Sequence, residues 1–410
     1  MERLPGFRDF YPEPVPHPDL GSADARQFVF ERWRATARRY GFREYDGPPL
    51  EPLDLFTLKS GEEIVGQLYN FTDKGSRAVA LRPEMTPTLA RMAAAHERHY
   101  KKPIKWFAIP QLFRYERQQK GRLREHFQFN ADIIGEAGPA AESELLALLI
   151  DSLRACGLTA EDFVIRLSSR NAWQQFFQAR CAQPEKAGPF YQIIDKLERE
   201  SAGASTQALA ALGFKLEEVN QFITQGSPTP ELEFIVKNLQ ARGLGAFVKI
   251  DYHVIRGLAY YTGVVFEAFD KKGEFRAIAG GGRYDNLIAL ISGGKVELPA
   301  LGFGMGDVVL LELLKARGLL PPLDFQIDAY CLIEDETLRE ASLDLVQHLR
   351  EEGFAVEYPL APARSDKQFK RAMELKARFT CQVQPTAGGG VEVRVKNLAT
   401  RAEKVVKYQS

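Results

Sequence analysis

The sequence carries no net formal charge: 54 Lys plus Arg stand against 54 Asp plus Glu in 410 residues. No global field draws in a polyanion, so any nucleotide or nucleic-acid contact must come from local clustering. Cysteine is scarce, four in all, at Cys156, Cys181, Cys331 and Cys381, with no CxxC pair. That spacing offers neither a zinc site nor a disulfide framework and fits a reducing compartment. No apolar run approaches the ~20 residues that span a bilayer. The opening MERLPGFRDFYPEP has the pattern of neither a signal peptide nor an Arg/Ser-rich transit peptide. A cytoplasmic protein with no membrane partner is expected. There is no internal repeat, no GxxxxGK(S/T) loop and no strand-GxGxxG-helix unit; GFGMG is glycine-rich but lacks the Lys and Ser/Thr of a phosphate loop.

What is present is an ordinary soluble composition, 45% hydrophobic and 26% charged, in a chain long enough for two or three domains. A Pro-rich aromatic strap, LPGFRDFYPEPVPHPDL, leads into a helix. Ser22 offers its N-cap, Val29, Trp33, Thr36 and Tyr40 follow at helical spacing, and Gly41 ends it. FREY is a short strand stopped by Pro48 and Pro49. RPEMTPTLARMAAAHERHY turns helical, KKPIKWFAIPQLFRYER and HFQFNADII read as strands, and AAESELLALLIDSLRACG is an amphipathic helix. From about 170 to 240 the pattern is helical, an insertion between strand-rich blocks. Strands return with AFVKIDYHVI, AYYTGVVFEAF and FRAIAGGGRYD; LGFGMGDVVLLELLKARG passes from a glycine-rich strand into a helix. After the linker LLPPLDF, strand and helix alternate cleanly. The expected organisation is an α+β domain over 1–322, antiparallel with helices on one side, and a small α/β domain over 325–410.

The chemistry centres on FRYERQQKGRLREHFQFNADIIGE, residues 113–136. Period-2 alternation puts Phe127, Phe129, Ala131 and Ile133 on one face of its second strand and His126, Gln128, Asn130 and Asp132 on the other. An edge hairpin with one solvated face is the ordinary explanation. Against it stand the short, geometrically fixed side chains of the polar face and the cations of the loop, Arg117, Lys120, Arg122 and Arg124. Other blocks supply matching groups, each with a plainer explanation. Glu84 and Thr86 could be helix caps, Arg256 a structurally paired arginine, and AGGGRYDN a tight hairpin turn.

In order and spacing these blocks resemble the histidyl-tRNA synthetase family, class II aminoacyl-tRNA synthetases, over essentially the full length. LPGFRDFYPE looks like the family's strap, residues 22–49 like motif 1, the dimer element, and FRYERQQKGRLRE…FQFNADIIGE like motif 2. RGLAYYTGVVFEAF and AGGGRYDNLI look like the histidine-specific motifs, ALGFGMGDVVLLELL like motif 3, and the last ~85 residues like an anticodon-binding domain. The resemblance implies a homodimer that activates histidine with ATP, Mg2+ accompanying it, and charges tRNA(His). Such transfers depend on positioning and charge neutralisation. Matched residue by residue, Arg114 and Arg256 are implied at the α-phosphate, the latter partly in place of a metal ion. The same match puts Arg122 at the γ-phosphate, Glu116 at the adenine amino group and His126 beside the base. Glu84, Thr86 and Gln128 are implied at the α-amino group, with Asp132 and Tyr261 bracketing the imidazole and Tyr260 in the same pocket. No metal ligand set is expected in the protein.

Three positions depart from the family pattern. Asp132 stands where Glu is frequent, His126 where Phe commonly stacks on adenine, and Val309 where motif 3 usually has an arginine. An organellar-like branch of the family is similar in both RGLAYYTG and the arginine-free motif 3, so the absence does not imply inactivity. The rival from another class is the synthetase-like regulatory subunit of ATP phosphoribosyltransferase, which binds histidine without charging tRNA. The missing arginine fits it; the retained Arg114, Arg122, Arg256 and Gln128 and the C-terminal domain argue against it.

Overall fold

The computed structural model describes residues 2–17, 20–60, 62–115, 123–198, 200–256, 260–323 and 326–407. The chain divides into two compact units, residues 1–321 and 322–410.

Among the described residues the first unit is built on a nine-stranded sheet. Its order is Val248–Ile250, Phe163–Ser169, Val264–Asp270, Ala279–Arg283, Ala300–Gly306, Glu125–Ile134, Ile104–Ala108, Arg43–Glu44; Gln111–Phe113 pairs with the start of Glu125–Ile134. The middle of the sheet is antiparallel, as the short connections imply. Both ends are parallel: Phe163–Ser169 with Val248–Ile250, and Arg43–Glu44 with Ile104–Ala108. A parallel neighbour needs a long crossover. At one end the crossover is the helical stretch, five helices between Arg170 and Ala241 whose starts at Ser169, Ser201 and Thr229 are capped by hydroxyl oxygens.

The two faces of the sheet differ in what covers them. On one, Phe129, Ala131, Ile133, Phe303 and Met305 are sealed beneath the helices Ala23–Arg39, Ala140–Arg154 and Asp307–Arg317 in the main core. Trp33 stacks on Phe129 with ring centroids 5.5 Å apart. On the other face Ile104, Trp106 and Ile134 form a smaller apolar cluster with Leu89, Ala90 and Ala93 of the helix Thr86–His96. The strand Glu125–Ile134 is thus apolar on both faces at its C-terminal end and polar on one face at its start.

The strap joins this unit through charge. Arg8 donates to Glu125 at 2.7 Å and lies 2.9 Å from Asp307, which is fully buried and also accepts the Phe127 amide at 3.0 Å.

The second unit is a five-stranded sheet ordered Val356–Glu357, Ala329–Leu332, Phe379–Pro385, Val391–Asn397, Glu403–Lys407, with helices Arg339–Glu351 and Ser365–Glu374. Buried Gln368 ties helix to sheet: its amide oxygen accepts from Ile333 N at 2.8 Å and its nitrogen donates to Ile333 O at 2.7 Å. The last strand was not expected from sequence. All five of its residues are exposed, so no alternation of apolar and polar residues marks it.

Candidate active site

The polar face of the sheet forms the floor of a cavity of about 530 Å³, within the range of small-molecule sites. Register explains why there is room. Asp132 pairs with Gly302, which pairs with Gly282; Asn130 sits opposite Gly304, Gly304 opposite Gly280, and Gly280 opposite Glu267. Two adjacent central strands therefore present glycines to this face at 280, 282, 302 and 304. The neighbours fill the space a side chain would need. A Cβ at Gly302 would lie 1.8 Å from Asp132 Oδ1, at Gly304 2.6 Å from Gln128 Cδ, and at Gly280 2.0 Å from Arg256 Nη1. AGGGR is thus strand, Ala279–Arg283, and not the hairpin turn that its glycines allow. GFGMG alternates floor glycines with the core residues Phe303 and Met305.

Eight of the residues singled out from the sequence line this one cavity: Glu84, Thr86, Arg114, His126, Gln128, Arg256, Tyr260 and Tyr261. Glu116 and Arg122 lie outside the described residues. Asp132 lies at the edge of the floor, 4% exposed, its carboxylate over Gly302 and 2.5 Å from the Tyr284 hydroxyl that donates to it.

Glu84 and Thr86 are not helix caps. Met85 holds the N-cap position with no side-chain bond, and Glu84 Oε2 instead accepts from the Tyr260 hydroxyl at 3.2 Å. Arg114 is oriented by its Nε, which donates to the Pro83 carbonyl at 3.1 Å. Arg256 does not lie in a strand. Its backbone is left-handed, with φ 56°, a conformation costing a non-glycine residue about 1–2 kcal/mol and concentrated at functional sites. It donates to Glu267 Oε1 at 2.5 Å and lies 5.8 Å from the centre of the Tyr261 ring.

Electrostatics divide the cavity. Burial pushes the hydroxyls of Tyr260, Tyr261 and Tyr284 up, so each stays an O–H donor at neutral pH. Burial also raises the Asp132 carboxyl to about 7, against the lowering effect of the Tyr284 bond. Arg114 and Arg256 line the same cavity, and guanidinium geometry matches oxyanions such as phosphate. The tyrosines, Gln128 and the carboxylates of Glu84 and Asp132 suit a small polar molecule with an amino group and ring nitrogens. Tyr284, Glu267 and Asn130 were not assigned from sequence. Asn130 shares the polar face by simple alternation, whereas the first two become visible only through strand register.

A family model described as histidyl-tRNA synthetase matches residues 18–307. A histidine–tRNA ligase of Opitutus terrae is 43% identical, over 98% of this chain and 95% of its own length. A chloroplastic/mitochondrial histidine–tRNA ligase of Arabidopsis thaliana is 38% identical, over 98% and 84%. The crystal structure of apo histidyl-tRNA synthetase from S. aureus matches with a TM-score of 0.74 at 24% identity, covering 99% of this chain and 97% of that one. The fold, a largely antiparallel sheet with helices against its apolar face, is that of the class II aminoacyl-tRNA synthetases. Within that class the chain belongs to the histidyl-tRNA synthetase family.

Proposed function

We infer that the protein is a histidine–tRNA ligase, which activates histidine with ATP to histidyl-adenylate and transfers the histidyl group to the 3′ end of tRNA(His). The observation that carries the reading is the joining, over one glycine floor, of an amino-acid half around Glu84, Gln128 and Tyr261 with a phosphate half around Arg114 and Arg256.

Histidine lies with its amino group toward Glu84, Thr86 and Gln128. Its ring lies between Tyr261 and the Asp132–Tyr284 pair. A site that hydrogen-bonds both ring nitrogens rejects analogues lacking them by ~10⁴–10⁵ in favourable cases. The histidine carboxylate attacks the α-phosphorus of ATP, and pyrophosphate leaves. Arg114 and Arg256 neutralise the charge that builds on the α-phosphate oxygens, with Glu267 fixing Arg256 in place. The glycines let the nucleotide approach the sheet backbone. His126 lies along the base and Glu116 at its amino group, while Arg122 meets the γ-phosphate. Mg2+ enters as part of the ATP substrate. In the second step the terminal ribose of tRNA attacks the adenylate carbonyl and AMP leaves. The 322–410 unit takes the anticodon stem-loop, and the same reading includes a homodimer acting in the cytoplasm.

The test is histidine-dependent ATP–pyrophosphate exchange followed by charging of tRNA(His). Exchange and charging are expected with histidine alone among the amino acids. Histidine binding without any exchange would instead make the protein a regulatory subunit of the synthetase-like kind. A pure histidine sensor, however, has no use for arginines over a floor cleared for a nucleotide.

A further inference from the structure

We propose that Arg276 is a phosphate contact of the nucleotide, supplying from the hairpin before the glycine strand the positive charge that position 309 lacks. The inference rests on the reading of the cavity as an ATP site. The wall at the start of the helix Asp307–Arg317 is formed by Val308 and Val309, which offer a triphosphate nothing. Arg276 is exposed and lines the same cavity. Ala279 pairs with Met305, so the chain just before Ala279 and the start of the helix after Gly306 lie at the same end of the sheet.

The segment is also held firmly enough for one side chain to be aimed. Upstream, the Asp270 carboxylate accepts the Lys272 and Glu274 amides at 3.3 and 2.9 Å, and Arg317 braces both Asp270 and Glu274 at 2.6 and 2.9 Å. Downstream, the Ile278 amide donates to Ala268 O at 2.8 Å and its side chain is 2% exposed. Phe275 packs on the main core. Between these anchors Arg276 lines the cavity. A planar guanidinium fork suits an oxyanion better than a lysine's point charge would. With Arg114 at one wall and Arg256 on the floor, Arg276 adds a third cation from a third direction, which spreads charge over the β- and γ-phosphates rather than the α-phosphate alone.

The experiment measures KM for ATP and for histidine in pyrophosphate exchange, with melting temperature, for the wild type, Arg276→Ala, Arg276→Lys and the double variant Arg276→Ala/Val309→Arg. Loss of a charge-assisted contact predicts an ATP KM raised about 10- to 100-fold in Arg276→Ala. Histidine KM and melting temperature stay at wild-type values. The lysine variant recovers part of the loss, and the arginine at 309 recovers it from the facing wall. An ATP KM within about twofold of wild type in Arg276→Ala overturns the proposal, with the ATP-site reading left standing. So does a parallel loss of histidine affinity and melting temperature, which would make Arg276 a brace of the hairpin. Absence of exchange in the wild type overturns the ATP-site reading itself and the inference with it.

Discussion

Arg256 and Arg283 each pair with a glutamate, on opposite faces of the strand Ala279–Arg283. Arg283 makes two parallel bonds to Glu142, at 2.6 and 2.8 Å, with the two side chains 7% and 2% exposed. Its remaining nitrogen is taken by the Glu136 carbonyl and Asp285, at 3.0 and 3.1 Å. Arg256 meets Glu267 through one nitrogen at 2.5 Å, and both side chains keep about a fifth of their surface, 21% and 23%. The first guanidinium is saturated; the second bonds Glu267 through one nitrogen and lines a cavity. The same chemical pair is a clamp in one place and a ligand-ready charge in the other, and burial with donor saturation makes the difference.

Arg283→Ala presses hardest on that difference. It strands Glu142 in a sealed site, and breaking a buried pair from one side costs about 3–5 kcal/mol. Chemical denaturation should show that loss, with whatever fraction remains folded keeping its ATP and histidine KM. A variant of normal stability but poor exchange would make Arg283 a ligand contact and not a clamp.

Arg256→Ala should do the reverse. Losing one preorganised charge at the reacting phosphate is worth about 10²–10³ in rate, read in single-turnover adenylate formation, while the melting temperature moves little. Arg256→Lys should restore little, because a point charge cannot replace a fork held between Glu267 and a ligand.

Asp132 offers a third kind of buried charge, one without a cation. Its carboxyl ionises near 7 in the folded protein and near 3.9 when unfolded. Between those values the folded state holds the extra proton, so stability falls as pH rises through that window, by at most about 1.4 kcal/mol per pH unit for one proton. Asp132→Asn should flatten that part of the melting-temperature profile in the ligand-free protein. It should also remove the gain in histidine affinity expected as the acceptor ionises toward pH 7. A wild-type profile that runs parallel to that of Asp132→Asn between about pH 4 and 7 would contradict the burial of this group.

How much of this was readable beforehand follows the range of the signal. The polar face His126–Asp132 was legible because strand alternation is local, and the helix starting after Ser22 because its cap and spacing are local. The pairs that define the site are not. Asp132 meets Tyr284 and Arg256 meets Glu267 only once Glu125–Ile134, Ala300–Gly306, Ala279–Arg283 and Val264–Asp270 lie side by side in one register. The glycines were visible as a composition, but their use as a floor depends on Asp132, Gln128 and Arg256 leaning over them from other elements. The parallel sheet edges escaped for a related reason, since Ile165 and Val248 are joined across the whole helical insertion.

The smallest effect belongs to charges with no partner to lose in a core. Lys367, Lys370 and Arg371 lie exposed on the helix Ser365–Glu374, where Arg371 meets Glu374 at 3.5 Å. Exposed pairs of this kind contribute about 0–1 kcal/mol to stability, so alanine at all three should leave the fold intact. If the helix lies against tRNA phosphates, affinity falls modestly and the slope of log K against log salt shrinks by about 0.7–0.9 for each contact removed. Filter binding across a salt series reads both. An unchanged slope makes the cluster a solvated face, and the contrast between Arg256 and Arg283 then extends to a third state in which a cation neither clamps nor binds.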